Sequence, residues 1–267
     1  MQISAQYIND ILGKIKSKRP IIHCITNFIT ANDCANVLLA LGASPTMAHH
    51  PEEVVEMTSH CDALVCNMGA VSDYEAMCNA AAEARRLGHP IVIDPVGVAA
   101  TSFRREKCID LIEKYRPDCI RGNVSEIEAL YNRKSLNVGV DSDFRGQDAK
   151  ALCSNYAKQI NSLVITSGVT DYISDGIITS AYEYGSRLMS GITGAGCMAT
   201  CIVAAFLSCD NSPESAAAAM ILLGISAEIS EKKTMMKCGG TMTFRNELID
   251  TISTIKSEDI AERMETK

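Results

Sequence analysis

The chain has 267 residues, of which 47% are hydrophobic and 21% are charged, and its formal net charge is −7. Its length fits one large α/β domain or two small ones, and its composition argues against disorder. The acidic balance and the absence of Trp argue against a nucleic-acid-binding surface as its main role.

Short apolar runs alternate with longer amphipathic segments along the first part of the chain. Five of the runs predict β-strands, at residues 20–26, 62–69, 89–97, 118–123 and 162–168. Continuous apolar runs are typical of strands buried on both faces of a parallel sheet. The segments between them predict helices at 30–41, 51–58, 72–87, 101–115, 124–132 and 148–160. This order predicts an α/β fold with a central, mostly parallel sheet flanked by helices on both faces.

The pattern changes after residue 168. The segment "DYISDGIITSAYEYG" predicts a hairpin whose turn contains Asp175 and Gly176. Further helices are predicted at 196–208, 212–229 and 242–254. Residues 257–267 either extend the last helix or fray. Since no Pro- or Gly-rich linker divides the chain, we expect residues 1–267 to form a single domain.

The twelve cysteines predict buried thiols rather than disulfides. The first twenty residues predict an amphipathic helix and lack the pattern of a secretory leader. Most cysteines lie inside apolar segments, and the sequence contains no Cys-x-x-Cys pair that would suggest a zinc site. It also contains no run of about 18 uncharged apolar residues, so no membrane span is predicted. We therefore expect a cytoplasmic protein with reduced cysteines.

Polar residues end each of the five predicted strands. They are Thr26, Asn27, Asn67, Asp94, Arg121, Asn123, Thr166 and Ser167. Ligands of parallel α/β sheets bind at the carboxyl ends of the strands. Any one of these residues is equally well explained as a cap of a turn or a helix. Five polar strand ends at one edge of the sheet nevertheless favour a binding site.

A glycine-rich segment, "SGITGAGCMAT" at 190–200, leads directly into a predicted apolar helix. Glycines before a helix let backbone N–H groups approach an anion, and the helix dipole adds partial positive charge. The Walker A pattern is absent, and Gly194-x-Gly196-x-x-Ala199 matches the dinucleotide fingerprint without its second strand. The segment therefore predicts a site for a phosphate or a transferring phosphoryl group. Close helix packing is the alternative explanation of its glycines.

Six segments together resemble the hydroxyethylthiazole kinases, a family within the ribokinase-like superfamily. They are "PIIHCITNFITANDCANVLLALGASPTM" (20–47), "VIDPVGVAATSFR" (92–104), "IRGNVSEI" (120–127), "ITSGVTDYISDG" (165–176), "SGITGAGCMAT" (190–200) and "GGTMTFRNELID" (239–250). The resemblance implies a ribokinase-like fold and ATP- and Mg²⁺-dependent phosphorylation of the hydroxyl of 4-methyl-5-(2-hydroxyethyl)thiazole, in thiamine salvage. It also implies a homotrimer whose thiazole pockets lie at subunit interfaces.

The resemblance also implies which residues contact the thiazole. Met47 matches a thiazole-contacting methionine, and a soft thioether suits an apolar heteroaromatic ring. Gly194 matches a loop glycine whose backbone touches the substrate, and Asn27 is expected to line the same site. Methionine is also a common core residue, so the assignment of Met47 depends on the surrounding "GASPTMAHH".

For ATP, the matching positions are Arg121 and Ser167. The guanidinium group of Arg121 offers a forked donor to phosphate oxygens. The family usually has Thr-Gly where this chain reads Thr166-Ser167-Gly168, so Thr166 is an alternative to Ser167. Both residues carry a hydroxyl group, and the sequence leaves open which of them meets the nucleotide.

Asn123 and Glu126 resemble the N-x-x-E motif with which ribokinase-like kinases position magnesium next to ATP. Their spacing at the start of a helix places both side chains on one face. A helix-capping pair is the alternative explanation, and both roles are compatible. Asp94 is a further carboxylate at the strand ends that is expected to reach the metal.

Cys197 lies where most ribokinase-like sugar kinases have an aspartate that accepts the proton of the attacking hydroxyl. With Gly194, Ala195 and Gly196 it forms the expected catalytic loop. A helix N-terminus lowers the pKa of a thiol, so we expect some thiolate at neutral pH and a weak base. Positioning and charge stabilisation are expected to supply most of the rate.

Three alternative functions share this fold. A dehydratase of hydrated nicotinamide cofactors, driven by ADP or ATP, typically has aspartate in the glycine-rich loop, where this chain has Cys197. A hydroxymethylpyrimidine kinase lacks the segment "ITNFITANDCAN". A non-catalytic nucleotide sensor would have lost its metal site, whereas Asn123 and Glu126 are both present.

Overall fold

The computed structural model describes residues 1–133 and 146–266, which contain one eight-stranded sheet. Its strands are β1 (Ile21–Ile25), β2 (Ser44–Thr46), β3 (Ala63–Asn67), β4 (Ile91–Asp94), β5 (Cys119–Asn123), β6 (Leu163–Ser167), β7 (Asp171–Ser174) and β8 (Thr179–Tyr182). The spatial order is β2-β1-β3-β4-β5-β6-β7-β8. Strands β1 to β6 run parallel, and β7 and β8 add an antiparallel hairpin.

The helices cover both faces of the sheet. They are α1 (Ala5–Lys18), α2 (Ala31–Leu41), α3 (Val54–Ser59), α4 (Tyr74–Leu87), α5 (Ser102–Tyr115), α6 (Val124–Asn132), α7 (Gly146–Ile160), α8 (Ala195–Leu207), α9 (Pro213–Met236), α10 (Thr241–Thr254) and α11 (Ser257–Glu265). Two 3-10 helices lie at Met68–Asp73 and Arg187–Gly191. Within the described ranges, none of the helices combines the length and apolar character needed to cross a membrane.

Strand β3 shows why the runs are apolar throughout, because all five of its residues are buried. Val65 packs into the core under α1, α2, α8, α9 and α10, whereas Leu64 and Cys66 face the core under α4 to α7. Burial of one such aliphatic side chain contributes about 1.5–3 kcal/mol. The predicted sheet, buried on both faces, is confirmed.

A topological switch point lies between β1 and β3. The chain leaves β1 through α2 on one face of the sheet, whereas it leaves β3 through α4 on the other face. Connections that diverge in this way open a crevice at the carboxyl ends of the two strands, which is where ligands bind in such sheets. The fold therefore directs attention to the residues that end β1 and β3.

The structure confirms the five strands and the hairpin, in which Asp175 Oδ1 accepts the N–H groups of Ile177 and Ile178. Several other predictions need correction. The sequence missed β2, the α9 helix continues to Met236, and α3 begins only at Val54. Residues 257–265 neither extend α10 nor fray, because they form the separate helix α11.

Two helical glycines give opposite predictions for replacement by alanine. A Cβ atom on Gly13 in α1 would have nothing within 4 Å, whereas on Gly224 in α9 it would lie 2.7 Å from the backbone oxygen of Tyr184. We expect Gly13→Ala to stabilise the protein by about 1 kcal/mol through helix propensity. Gly224→Ala should destabilise it by about 1–3 kcal/mol, because overpacking outweighs the same gain.

Urea unfolding of both variants beside the unmodified protein measures the two changes in the free energy of unfolding. Gly13→Ala is the matched control, since it makes the same chemical change without the contact. Equal stabilisation by both variants would show that the backbone of Tyr184 yields to the extra methyl group.

Candidate active site

Three amide and carboxylate side chains meet at the carboxyl ends of β1, β3 and β4. Asn67 Nδ2 donates to Asp94 Oδ2 at 2.8 Å and to Cys197 Sγ at 3.1 Å. Asn27 Nδ2 lies 3.5 Å from Asn67 Oδ1 and 3.7 Å from Cys197 Sγ. The predicted convergence of polar strand ends is therefore present, and the glycine-rich loop that precedes α8 joins it.

The N-terminus of α8 has no capping side chain. Its N-cap is Gly194, which has no side chain to accept an N–H, and α2, α3, α4 and α10 likewise begin without a side-chain cap. The first N–H groups of a helix have no intrahelical acceptor, and the helix dipole places partial positive charge on them. The first turn of α8 therefore offers donors to an anion.

Both loop glycines have close neighbours, and Gly194 also has a backbone conformation that favours glycine. Gly194 has φ = 85°, and a Cβ there would lie 3.0 Å from Thr30 Cγ2. A Cβ on Gly196 would lie 2.6 Å from Arg121 Nη1, so the guanidinium group rests on the loop. Close packing, the alternative explanation, thus holds together with the anion site, because the packed group at Gly196 is a cation.

Arg121 is held by Ser167 at the end of the neighbouring strand. Its Nη2 donates to Ser167 Oγ at 2.7 Å, and Ser167 Oγ donates to Gly122 O at 3.2 Å. Among the described residues, the buried Nε of Arg121 has no hydrogen-bond acceptor. An unpaired buried donor costs about 1–3 kcal/mol, which a phosphate oxygen would relieve.

Thr166 does not share this position. The residue is completely buried, and its Oγ1 has no hydrogen-bond partner among the described residues. Successive residues of a strand point to opposite faces of the sheet, so only one of Thr166 and Ser167 faces Arg121. The hydroxyl beside Arg121 therefore belongs to Ser167, and contact of Thr166 with ATP stays a prediction.

Asn123 and Glu126 form a complete capping box at the start of α6. Asn123 Oδ1 accepts the Glu126 N–H at 2.9 Å, and Glu126 Oε2 accepts the Asn123 N–H at 3.0 Å. Glu126 Oε1 also accepts the Gly97 N–H at 3.2 Å, which ties the loop after β4 to α6. The capping interpretation is confirmed, and it fixes the carboxylate of Glu126 near Asp94.

The carboxylates of Asp94 and Glu126 fit Mg²⁺ as a donor set. They are close enough that the charge of Glu126 raises the pKa of Asp94. In the part of the chain that the structure describes, no group of three or more His, Cys, Asp or Glu residues is arranged to hold a metal ion. Mg²⁺ usually binds through one or two carboxylates, with waters and substrate phosphates supplying the other ligands.

Asp94 carries its carboxyl group in the interior, with only 1% of the residue exposed. Burial raises the pKa of Asp94 to about 6, and the charge of Glu126 adds to this. The positive charge of Arg121 and hydrogen bonds with Thr200 and Cys197 act in the opposite direction. At neutral pH the site therefore contains a carboxylate whose ionisation costs stability.

Cys197 differs from the expectation of a partly ionised thiol. Burial raises the pKa of Cys197 to about 12, and the negative charge of Asp94 acts in the same direction. Hydrogen bonds with Thr30 and Asn67 favour the thiolate but do not outweigh these effects. The lowering expected from the helix N-terminus is therefore wrong for this site, and the group beside Asp94 is a neutral thiol.

Met47 follows the edge strand β2, whose pairing with β1 sets its position. It is partly buried and packs against the core cluster that includes Cys197. The next residue is held by a buried histidine, since His23 Nε2 donates to Ala48 O at 2.8 Å while Thr58 Oγ1 lies 2.9 Å from Nδ1. Met47 is thus fixed at the same end of the sheet as the loop of α8.

The sequence analysis missed Thr30, Asp33 and Arg245. Thr30 packs against Gly194, and the buried carboxylate of Asp33 forms an ion pair with Arg245. A Cβ on Gly194 would lie 3.6 Å from Asp33 Oδ2. Arg245 lies in the segment "GGTMTFRNELID", for which the sequence predicted no role. Its ion pair with Asp33 connects α10 to α2 behind the loop.

A separate cavity of about 820 Å³ lies at the opposite, amino-terminal edge of the sheet. It is lined by residues that precede β5 and β6, among them Arg116, Asp118 and Ser162. None of the predicted site residues lines it, so it does not belong to the cluster around Cys197.

Comparison with known proteins identifies the family. A family model described as hydroxyethylthiazole kinase matches residues 12–258. The chain belongs to the hydroxyethylthiazole kinase family. The hydroxyethylthiazole kinase of Clostridium botulinum (strain Eklund 17B / Type B) is 40% identical, covering 96% of this chain and 97% of the relative. That of Methanobrevibacter smithii is 38% identical, covering 92% and 91%.

Solved structures agree with the family assignment. The hydroxyethylthiazole kinase of Pyrococcus horikoshii OT3 superposes with a TM-score of 0.86 at 36% identity, covering 96% of each chain. The pyridoxal kinase of Staphylococcus aureus superposes with a TM-score of 0.59 at 17% identity, over 78% of this chain and 87% of that one. The latter likeness shows the fold alone, which is ribokinase-like. Membership of a kinase family implies phosphoryl transfer with ATP as co-substrate.

Replacement of Asp94 by asparagine should stabilise the protein above about pH 6. Because the folded protein holds the Asp94 proton more tightly than the unfolded chain, its contribution to stability is present below the ordinary pKa of 3.8 and is lost as the pH rises through about 6. This difference corresponds to about 3 kcal/mol at neutral pH. Unfolding of Asp94→Asn and the unmodified protein from pH 3.5 to 8, with a chelator present, measures it. A constant difference across this range would contradict the raised pKa.

The neutral state of Cys197 predicts slow alkylation. Iodoacetamide reacts with thiolates, and Cys197 is buried with a pKa of about 12, whereas Cys238 is exposed. At pH 8 we expect Cys238 to be modified at least about a hundredfold faster than Cys197. Peptide mass spectrometry over time measures both rates in one sample. Equal rates would restore the expectation of a thiolate.

Proposed function

We propose that this protein transfers the terminal phosphoryl group of ATP to the hydroxyl group of 4-methyl-5-(2-hydroxyethyl)thiazole, in thiamine salvage. The observation that carries the proposal is the uncapped start of α8, where Gly194 leaves N–H donors free and the guanidinium group of Arg121 rests on Gly196. Phosphoryl transfer depends mainly on positioning and on stabilisation of charge over the phosphoryl oxygens. This loop offers both.

The nucleotide is proposed to bind on the side of Arg121 and Ser167. The unpaired Nε of Arg121 would find its acceptor on an ATP phosphate, while Ser167 keeps the guanidinium group oriented. Asn123 ends β5, the strand that also carries Arg121, and borders the same region. Because Arg121 is anchored on both the loop and Ser167, its position is set before ATP arrives.

The thiazole is proposed to bind on the side of Asn27 and Met47, with its hydroxyl group near Gly194 and Cys197. The thiol of Cys197 is neutral, so it orients the hydroxyl rather than acting as a strong base. A loose phosphoryl-transfer transition state requires little from a base. This explains how a cysteine serves at a position where sugar kinases use aspartate.

Mg²⁺ is proposed to bind at Asp94 and Glu126, whose oxygens suit a hard cation. When bound, the ion supplies positive charge that offsets the charge of the phosphates. Asn123 contributes indirectly, because its capping bond fixes the backbone to which Glu126 is tied. The buried charge of Asp94, which costs stability alone, is what such a cation would relieve.

A homotrimer with sites at subunit interfaces is proposed as the assembly. Phe28 and Ile29 follow Asn27 directly, and 91% and 62% of their surfaces are exposed. Large apolar side chains so exposed beside a binding residue favour coverage by a second subunit. We also propose that residues 1–267 form a single domain, since the eight strands of the described residues share one sheet. The protein is further proposed to be cytoplasmic, where its twelve free cysteines stay reduced.

The family comparison disfavours the alternative functions. The matching family model and the two relatives described above carry the name hydroxyethylthiazole kinase. A nucleotide sensor would bind ATP without turnover. The assay that follows separates these outcomes.

Incubation with ATP, Mg²⁺ and the thiazole alcohol should yield ADP and a phosphorylated thiazole in equal amounts. Cys197→Ser should lower kcat by about fivefold to tenfold and leave ATP binding unchanged, because a hydroxyl replaces one neutral group with another. Cys238→Ser is the matched control and should not change kcat. Complete loss of turnover in a folded, ATP-binding Cys197→Ser protein would show that the thiol is the essential base. Turnover of hydroxymethylpyrimidine alone would overturn the proposed substrate.

A further inference from the structure

Asn67 connects two groups of the site that belong to different secondary-structure elements. Its single amide nitrogen donates one N–H to Asp94 Oδ2 at 2.8 Å and the other to Cys197 Sγ at 3.1 Å. Asp94 ends the adjacent strand, in register with Asn67, while Cys197 lies in the first turn of α8. One side chain therefore fixes a carboxylate from the sheet and a thiol from a helix at a set separation.

The orientation of the Asn67 amide follows from its surroundings. Its Oδ1 accepts the Gly69 N–H at 2.8 Å, so the oxygen is already used and the nitrogen must face Asp94 and Cys197. The residue is 1% exposed, so its amide is shielded from bulk solvent. A Cβ on Gly69 would lie 2.7 Å from Asn67 Oδ1, so the glycine leaves the space that this arrangement needs.

Helix capping explains only half of these contacts. Asn67 is the N-cap of the 3-10 helix Met68–Asp73, and this role uses its oxygen alone. Aspartate and serine cap helices about as well as asparagine does. Neither offers two N–H donors, so the contacts with Asp94 and Cys197 are the ones that only an amide side chain can make together.

We propose that Asn67 is a positioning residue for phosphoryl transfer, which sets the place of the Cys197 thiol and the Asp94 carboxylate relative to the loop of α8. The expected effect of Asn67 on kcat rests on the proposed function. Its effect on the positions of Cys197 and Asp94 rests on the geometry alone. Reacting groups must be held within about 0.5 Å of the productive arrangement, and a displacement of about 1 Å costs up to a hundredfold in rate.

The structural test uses Asn67→Asp and Asn67→Ser. Both variants keep a capping oxygen and lose the two amide N–H groups that bind Asp94 and Cys197. Crystal structures of both variants should show Cys197 Sγ or the Asp94 carboxylate displaced by about 1 Å or more, with the 3-10 helix intact. If both groups stay within about 0.3 Å of their positions in the unmodified protein, the inference is overturned. This test needs no substrate, so it decides the inference even if the thiazole alcohol is not phosphorylated.

The kinetic test is a double-mutant cycle between Asn67→Ser and Cys197→Ser. Asn67→Ser should lower kcat by about tenfold or more, with the KM for ATP unchanged within about twofold. Because Asn67 acts partly through Cys197, the effects of the two substitutions should not be independent. The kcat of the double variant should be at least about threefold higher than the value expected if the two single fold-losses simply multiplied. A general loss of structure would instead give additive effects, or a rise in both KM values, and either would contradict the proposal.

The matched control is Asn79→Ser in α4, which removes a partly buried amide that donates to Pro51 O, away from the site. It should leave kcat unchanged. Absence of turnover in the unmodified protein would reject the proposed function. Additive effects in an active enzyme would reject only the positioning role of Asn67.

Discussion

Gly194 leaves the first turn of α8 without a side-chain acceptor, and the rest of the site is arranged around the N–H groups that result. Gly194, Ala195 and Gly196 are only partly buried, so an anion or water can reach these donors. Arg121 adds a cation on Gly196, and Thr30 with the Asp33–Arg245 ion pair holds the loop from behind. These contacts hold the N-terminus of α8 in place and leave its partial positive charge available to an anion.

The same site concentrates negative charge in the interior. Asp94 is fully buried and near Glu126, and its carboxylate raises the pKa of the Cys197 thiol. These groups oppose one another in the free protein, which means that the site is destabilising by itself. Such a cost is typical of binding sites, where the ligand supplies the missing charge. The surrounding sheet, buried on both faces, provides the stability that tolerates it.

The sequence was sufficient for the sheet and for the loop, because apolar runs and glycines before a helix have direct physical meanings. It failed at β2, whose three partly buried residues include a proline and carry no strand pattern. It could not choose between Thr166 and Ser167, since only the register of β6 decides which residue faces Arg121. The predicted lowering of the Cys197 pKa was wrong because the fold buries the thiol and also brings Asp94, 103 positions away in the sequence, close to it.

The contacts around Cys197 also bear on how the protein is made. Asn27 and Cys197 lie 170 positions apart in the chain, and Asn67 and Cys197 lie 130 apart. Such long-range contacts form late, after the intervening strands have paired. During synthesis all eight described strands emerge before α8, so the growing chain carries exposed apolar surface where this helix will pack. The anion-binding loop therefore reaches its final place when α8 packs onto the strands, whereas α9 and α10, which follow in the chain, complete this core.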